Sequence, residues 1–171
     1  PFIPNKLLTA RDEGRVVFFC GAGVSIPYAK LPSFNQLSEM VLSNLGLEKQ
    51  NPAYKAFQQT KNYPDIPGPS ADRIFGLLEQ SFDDAEIQAE VAKILKPPKD
   101  VDLKAHKILL DLSTTPSGHV NLVTTNFDLL FEECRSGLKV STPPHFPRIE
   151  HREILDGIVY LHGRVNEDYS G

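Results

Sequence analysis

Three short clusters of residues in this chain could do chemistry together. The first is "GAGVS" at residues 21–25, the second holds Asn126 and Asp128 within "TTNFD", and the third is His162 within "LHG". Paired glycines let a phosphate approach backbone N–H groups, while an amide and a carboxylate orient a polar ligand through hydrogen bonds. An imidazole titrates near neutral pH and suits proton transfer. These residue types could form a binding site for a phosphate-bearing ligand with an imidazole nearby.

Each cluster also has a simpler explanation. The paired glycines can serve a tight strand-to-helix turn, and Ile26 occupies the place of the usual third glycine of a dinucleotide-binding loop. Asn126 or Asp128 can cap a helix, and His162 can be a hydrogen-bonded structural histidine. Ser25 lacks the context of a nucleophile elbow, so serine-based hydrolysis is not predicted. The other histidines have no partner motif and are interpreted as packing or surface residues: His106, His119, His145 and His151.

The elements that must position these clusters are three apolar runs. They are residues 15–21, 119–125 and 157–163, and each is a short β-branched or aromatic run bounded by glycine or polar residues. Such runs are typical of strands covered on both faces of a parallel sheet. Ligands of open α/β sheets bind beyond the carboxyl ends of the strands, so the three clusters should converge on one crevice.

Helical patterns separate the strands. Ser33 and Gln36 form a capping-box pattern at the start of the first helix, and Gly46 is a plausible stop. Four further helices are predicted at residues 72–82, 83–96, 103–113 and 127–137. The sequence therefore predicts an α/β fold with a Rossmann-like parallel sheet and a helical insertion at about residues 47–115, in a single domain over residues 1–171.

Composition narrows the class of protein. The 171 residues are 40% hydrophobic and 23% charged with a net charge of −4, which argues for a globular domain and against a nucleic-acid-binding groove. The apolar runs are too short to cross a bilayer, and the first residues show no signal peptide. Because the chain begins at Pro1 rather than Met, we expect a trimmed or incomplete N-terminus. With only Cys20 and Cys134, we expect a reducing, cytoplasmic location and no four-cysteine zinc site.

The conjunction of motifs carries more information than any single one. "GAGVS", then "LPSF" at residues 31–34, then "TTNFD" and "LHG" follow one another in this order. The set resembles the SIR2 (sirtuin-like) family, whose pattern is Gly-Ala-Gly-x-Ser, Pro-Asp-Phe-Arg, Thr-Gln-Asn-x-Asp and His-Gly. The resemblance spans about residues 15 to 163, and the insertion carries little of it.

The resemblance implies that the ligand is NAD+. Its phosphates and adjoining ribose would lie along four residues of the first motif: Gly21, Ala22, Gly23 and Ser25. Pro32 and Phe34 would belong to a mobile loop that covers the nicotinamide end.

The later motifs would supply the reacting groups. Asn126 would position the nicotinamide ribose or a water near it, Asp128 would hold the carboxamide, and His162 would be the general base acting on a ribose hydroxyl. Thr125 stands where the family has Gln and is counted among the cofactor-binding residues. Gly163 would leave room for the ribose.

Several residues depart from the family pattern. Ser33 and Asn35 replace the Asp and Arg of the Pro-Asp-Phe-Arg segment, and Phe127 replaces Ile or Val. Deacylating sirtuins carry a zinc module with paired Cys-x-x-Cys motifs soon after His-Gly, whereas "RVNEDYSG" follows here. We therefore expect no zinc and no other metal, and a closer similarity to the divergent SIR2-like domains of prokaryotic defence proteins. A full SIR2-type domain continues further, so this chain is expected to be its front portion.

The implied function is that of an NAD+ glycohydrolase, which releases nicotinamide and ADP-ribose as the effector domain of an antiphage defence protein. Two alternatives stay open: an NAD-dependent protein deacylase, and a non-catalytic module that senses NAD or ADP-ribose. The resemblance also implies homo-oligomers formed through parts of the full-length protein and an activating protein partner. No membrane contact is expected, because the apolar runs are too short to cross a bilayer.

Overall fold

The computed structural model describes residues 3–62, 69–148 and 155–166. Within them lie four strands: Phe18–Cys20 (β1), Asn121–Thr124 (β2), Val140–Ser141 (β3) and Gly157–Tyr160 (β4). All neighbouring strands pair in parallel, in the order β1-β2-β4-β3. The predicted α/β class with a Rossmann-like parallel sheet is confirmed.

In the described part of the chain, the helices lie before β1, between β1 and β2, and between β2 and β3. Those of the described residues are Asn5–Asp12 (α1), Ser25–Ala29 (α2), Phe34–Asn44 (α3), Pro52–Asn62 (α4), Ala71–Leu78 (α5), Asp84–Leu95 (α6), Lys104–Ser113 (α7) and Leu130–Cys134 (α8). Five of them correspond to predicted helices, while α1, α2 and α4 are additional. None of the helices in the described ranges is long and apolar enough to span a membrane.

The strands differ in length from the sequence expectation. Each of the three predicted runs contains a strand, but the strands have only three or four residues. The last run ends its strand at Tyr160, so that Leu161 and His162 form a turn. β3 has two residues, which is too short to give a sequence pattern. Gly157 makes its pairing with β4 possible, because a Cβ there would lie 2.5 Å from the Lys139 carbonyl oxygen.

Contacts divide the chain into two compact units. The first contains the sheet with α1, α2, α7 and α8, and the second is built around Leu31–Lys96 with α3 to α6. The predicted insertion at 47–115 thus includes three helices of the second unit and α7 of the first. The interpretation as a single domain stays a prediction.

The core of the first unit lies on one face of the sheet. Leu122, Ile158 and Tyr160 point to this face and pack with Leu110 of α7 and Phe131 of α8. These five side chains are at most 1% exposed. The helices α7 and α8 therefore fix the strands whose carboxyl ends carry the predicted clusters.

In the second unit, local signals define the helices. The capping box of α3 is present, since the Gln36 N–H donates to Ser33 Oγ at 3.3 Å and the Ser33 N–H donates to Gln36 Oε1 at 2.8 Å. Buried Leu37 and Val41 lie on one face of α3, as its periodicity predicts. α3 ends just before Gly46, whose φ of +61° favours glycine.

Candidate functional site

The carboxyl ends of β1, β2 and β4 lie side by side and carry the three predicted clusters. Because these strands are parallel neighbours, the residues that follow them emerge at one edge of the sheet. The Thr125 N–H donates to the Cys20 carbonyl at 3.1 Å, and the Leu161 N–H donates to the Thr124 carbonyl at 2.9 Å. These bonds hold the segments beyond the strands in register.

The segment after β1 turns sharply into α2. Residues Ala22–Val24 form a 3-10 turn, and Gly21 precedes it with extended backbone. A Cβ on Gly21 would lie 3.4 Å from Thr125 Oγ1, whereas a Cβ on Gly23 would meet no described atom within 4 Å. Gly23 is also absent from the residues with positive φ. Within the described part of the chain, neither packing nor backbone conformation requires a glycine at position 23.

The Ser25 hydroxyl lies at the centre of a buried hydrogen-bond cluster. Its Oγ donates to Asp128 Oδ2 at 2.9 Å, accepts from Asn126 Nδ2 at 3.1 Å and lies 3.1 Å from His106 Nε2. All four side chains are at most 6% exposed. These four residues, the Ser25 cluster, join the turn after β1, the segment after β2 and helix α7.

The two carboxyl oxygens of Asp128 have different hydrogen-bond partners. Its Oδ1 accepts the Leu130 N–H, the first N–H group of α8, at 3.2 Å, although the N-cap residue is Leu129 and not Asp128. Its Oδ2 accepts the Ser25 hydroxyl, a bond that capping does not require. Burial raises the pKa of the Asp128 carboxyl, and the hydrogen bonds from Ser25 and Leu130 oppose that rise. The carboxyl group is therefore both structural and part of the site.

His106 belongs to the site although no motif singles it out. It is fully buried, and its ring packs edge-on against Phe131 with centroids 4.9 Å apart. Burial lowers the pKa of His106 to about 4, so the imidazole is neutral at pH 7. The signal that could have found it is helical spacing: His106, Leu110 and Ser113 are the buried positions of α7, so the histidine lies on its inward face.

His162 lies apart from the hydrogen bonds of the Ser25 cluster. It is the second residue after β4, in a turn, and its side chain is exposed. Gly163 follows with a φ of +86°, a left-handed conformation that favours glycine. An exposed imidazole at a strand end is accessible to both a ligand and water, which a general base requires.

The remaining predicted residues occupy different parts of the chain. Ala22 lies in the turn between β1 and α2, and half-buried Thr125 follows β2. Pro32 and Phe34 belong to the second unit, where Phe34 begins α3 and stacks on Phe75 with ring centroids 5.6 Å apart. Their role as a loop over the ligand stays a prediction. His151 lies outside the described residues.

Across the described ranges, no group of three or more His, Cys, Asp or Glu side chains is arranged to hold a metal ion. Both cysteines are unpaired thiols, and burial raises the pKa of each.

Comparison with known proteins gives one informative similarity. No family model matches the chain. The chain is 34% identical, over 178 aligned positions, to the uncharacterized protein y4cA of Sinorhizobium fredii (strain NBRC 101917 / NGR234). The match covers 98% of this chain and 14% of that protein. The chain therefore spans about a seventh of the length of the curated relative that it matches.

Proposed function

We propose that this chain binds NAD+ as a substrate and hydrolyses its nicotinamide–ribose bond. The observation that carries the proposal is the Ser25 cluster, a buried amide and carboxylate fixed at the carboxyl ends of parallel strands beside a glycine turn. Ligands of open α/β sheets bind at this edge. The four motifs that are similar to the SIR2 pattern supply the identity of the ligand.

The glycine turn would take the phosphates. Gly23 is exposed, and the space that a Cβ would occupy is empty of described atoms, so a phosphate could lie against the backbone there. Gly21 and Ala22 would contribute backbone N–H groups from the same turn. The Ser25 hydroxyl already makes three hydrogen bonds within the protein. This residue would therefore stabilise the turn from its buried side and would not contact the phosphates.

The amide and the carboxylate would orient the reacting end of NAD+. Asp128 would accept an N–H of the nicotinamide carboxamide, and Asn126 would hold the ribose or the attacking water. Breaking the bond builds positive character on the ribose. Groups that are already oriented in a buried setting stabilise such a charge more strongly than water does, because they need no reorganisation.

His162 would accept the proton that the reaction releases. Water oxygen bonds to the anomeric carbon of the ribose, the C–N bond electrons leave with nicotinamide as a neutral base, and one water proton passes to the imidazole and then to solvent. The products are nicotinamide and ADP-ribose.

The test is NAD+ consumption with products separated by chromatography. The natural full-length polypeptide should release nicotinamide and ADP-ribose without any acylated peptide, and His162→Ala and Asn126→Ala should stop this release. His145→Ala is the matched control, because His145 is another exposed histidine, and it should retain activity. A chelator should leave the rate unchanged.

Other results would identify the alternatives. Turnover only in the presence of an acyl-lysine peptide would replace hydrolysis by deacylation. Binding of NAD+ or ADP-ribose without turnover would make the chain a sensing module and give His162 a structural role.

We also propose that the activity serves antiphage defence in the cytoplasm, in a homo-oligomer that a protein partner activates. Bacteria that express the protein should resist phage infection, and the His162→Ala variant should not protect them. Light scattering should report an oligomer. NAD+ turnover that does not change on adding the partner would rule out activation by that partner.

A further inference from the structure

Hydrogen-bond geometry at Ser25 determines how protons are distributed in the cluster. A hydroxyl has one proton to donate and two lone pairs to accept with. Ser25 Oγ has three partners at 2.9 to 3.1 Å, so its full capacity is used. The direction of each bond is therefore linked to the directions of the other two.

Two of the directions follow from the partners. The Asn126 amide nitrogen can only donate, so Ser25 accepts that bond. An ionised Asp128 carboxylate can only accept, so Ser25 donates its proton to Oδ2. The third bond must then run from His106 Nε2–H to the second lone pair of Ser25.

The opposite face of the imidazole supports this assignment. His106 Nδ1 is buried and has no hydrogen-bond partner among the described residues. With the proton on Nε2, Nδ1 carries only a lone pair. With the proton on Nδ1, a buried N–H donor would be left without an acceptor, which is the rarer defect in native proteins.

We propose that His106 is a positioning residue of this site, whose neutral Nε2–H donates to Ser25 and thereby directs the serine proton onto Asp128. The inference rests on the proposed function for its effect on NAD+. Asp128 is then kept as an acceptor, the form that recognises the N–H₂ of a carboxamide. The Phe131 ring holds the imidazole edge-on in this orientation.

The alternative distribution of protons is specific enough to be tested. If Asp128 were protonated, it would donate to Ser25, Ser25 would donate to Nε2, and the proton of His106 would lie on Nδ1. Burial raises the pKa of Asp128, which favours this form, whereas the hydrogen bonds from Ser25 and Leu130 oppose it. The imidazole tautomer distinguishes the two arrangements.

The first experiment reads the tautomer directly. A long-range ¹H–¹⁵N correlation spectrum of the folded protein at pH 7, assigned with His106→Gln, should show Nε2 protonated and Nδ1 unprotonated. A proton on Nδ1, or a charged ring, would overturn the inference. This measurement needs no NAD+, so it decides the matter even if the wild-type protein does not consume NAD+ and the proposed function fails.

The second experiment tests positioning in the active protein. His106→Leu fills the buried position with an apolar side chain that lacks the donor, and we expect kcat/KM for NAD+ to fall about 5- to 100-fold. His106→Gln can present an amide N–H where Nε2–H lies and should restore most of that loss. His119→Gln is the control, because His119 is half-exposed and pairs with Asp156 outside the cluster.

Circular dichroism and thermal melting should confirm that all three variants fold. Equal activity of the Leu and Gln variants in folded protein would show that only packing matters at position 106 and would overturn the positioning role.

Discussion

A Gly23→Ala substitution separates what the fold requires from what the ligand requires. Gly23 is an exposed residue in the 3-10 turn between β1 and α2. A methyl group there meets no described atom within 4 Å, and the backbone is outside the positive-φ region. The fold should therefore tolerate alanine, whereas a phosphate lying against this backbone should not.

Both effects can be given a size. Replacing a glycine by alanine in a compatible conformation stabilises a protein by about 0.4–1 kcal/mol, because the unfolded chain loses conformational freedom. In a chain of this length that corresponds to a melting temperature about 1–4 °C higher. A methyl group forced into occupied space costs about 1–3 kcal/mol. The dissociation constant for NAD+ should therefore rise about 5- to 150-fold.

Calorimetric titration with NAD+, made in the His162→Ala background so that the ligand is not consumed, and thermal unfolding measure the two effects separately. Gly76→Ala is the matched control, because Gly76 lies in α5 and also has no described atom near its Cβ position. It should raise the melting temperature without changing NAD+ affinity. A lower melting temperature for Gly23→Ala would show that the fold itself requires this glycine. Unchanged affinity would refute contact between the turn and the phosphates.

Three further predictions concern the fold. Leu122→Ala should lower the free energy of unfolding by about 2–5 kcal/mol, because Leu122 is fully buried. Phe19→Ser should change it by less than about 0.5 kcal/mol, because Phe19 is 66% exposed. Equal losses in chemical denaturation would contradict this prediction. Cys134 should react with a thiol reagent at pH 7 only after unfolding, since burial raises its pKa to about 11, and equal rates in native and denatured protein would be inconsistent with that. Burial lowers the pKa of His106 from 6.5 to about 4, so on acidification the imidazole is protonated in the unfolded chain before it is protonated in the folded one. The free energy of unfolding should therefore fall as the pH drops from about 6.5 to about 4. Protonation of Asp128, whose pKa burial raises, should offset part of the loss. In the His106→Gln variant, the pH dependence of the unfolding free energy should lack the contribution of this histidine.

The sheet could be predicted from the sequence because its strands are buried and therefore apolar. The runs around Leu122 and Ile158 stand out for this reason, and parallel pairing follows from the helices between them. α1 gives no such signal, since none of its residues is buried. It is attached through Arg11, whose guanidinium donates to the Leu112 and Thr114 carbonyls at 3.0 Å, about 100 residues away. A contact of this kind leaves no local pattern.

The missed helix α4 differs, because its start does have a signal. Pro52 occupies the first helical position, and the Asn51 side chain accepts the Ala53 N–H at 2.8 Å as a cap. Only Ala53 is buried among its residues, the segment as a whole is polar, and the surrounding proline and asparagine residues resemble a loop. Start signals in a segment of low overall hydrophobicity are not enough to identify a helix.

For the candidate site, the order of the motifs predicts where the clusters lie, but not which side chains form hydrogen bonds with one another. Strand ends bring residues 21–25 and 124–128 together, as parallel topology requires. The sequence could not show that Ser25 bonds to both Asn126 and Asp128, because those contacts span about 100 residues. Nor could it separate His106 from the other histidines without using the burial of its position on α7.

The Ser25 hydroxyl uses its full hydrogen-bonding capacity within the protein, and this affects how mutations at position 25 should be interpreted. Ser25→Ala would remove one partner from each of three buried side chains, Asn126, Asp128 and His106, and each would keep its desolvation cost without its hydrogen bond. A large loss of NAD+ turnover in that variant would therefore follow even if the serine never touches the ligand. Contact with the phosphates is better tested at Gly23, where a substitution adds atoms on the exposed side of the turn and leaves the buried cluster intact.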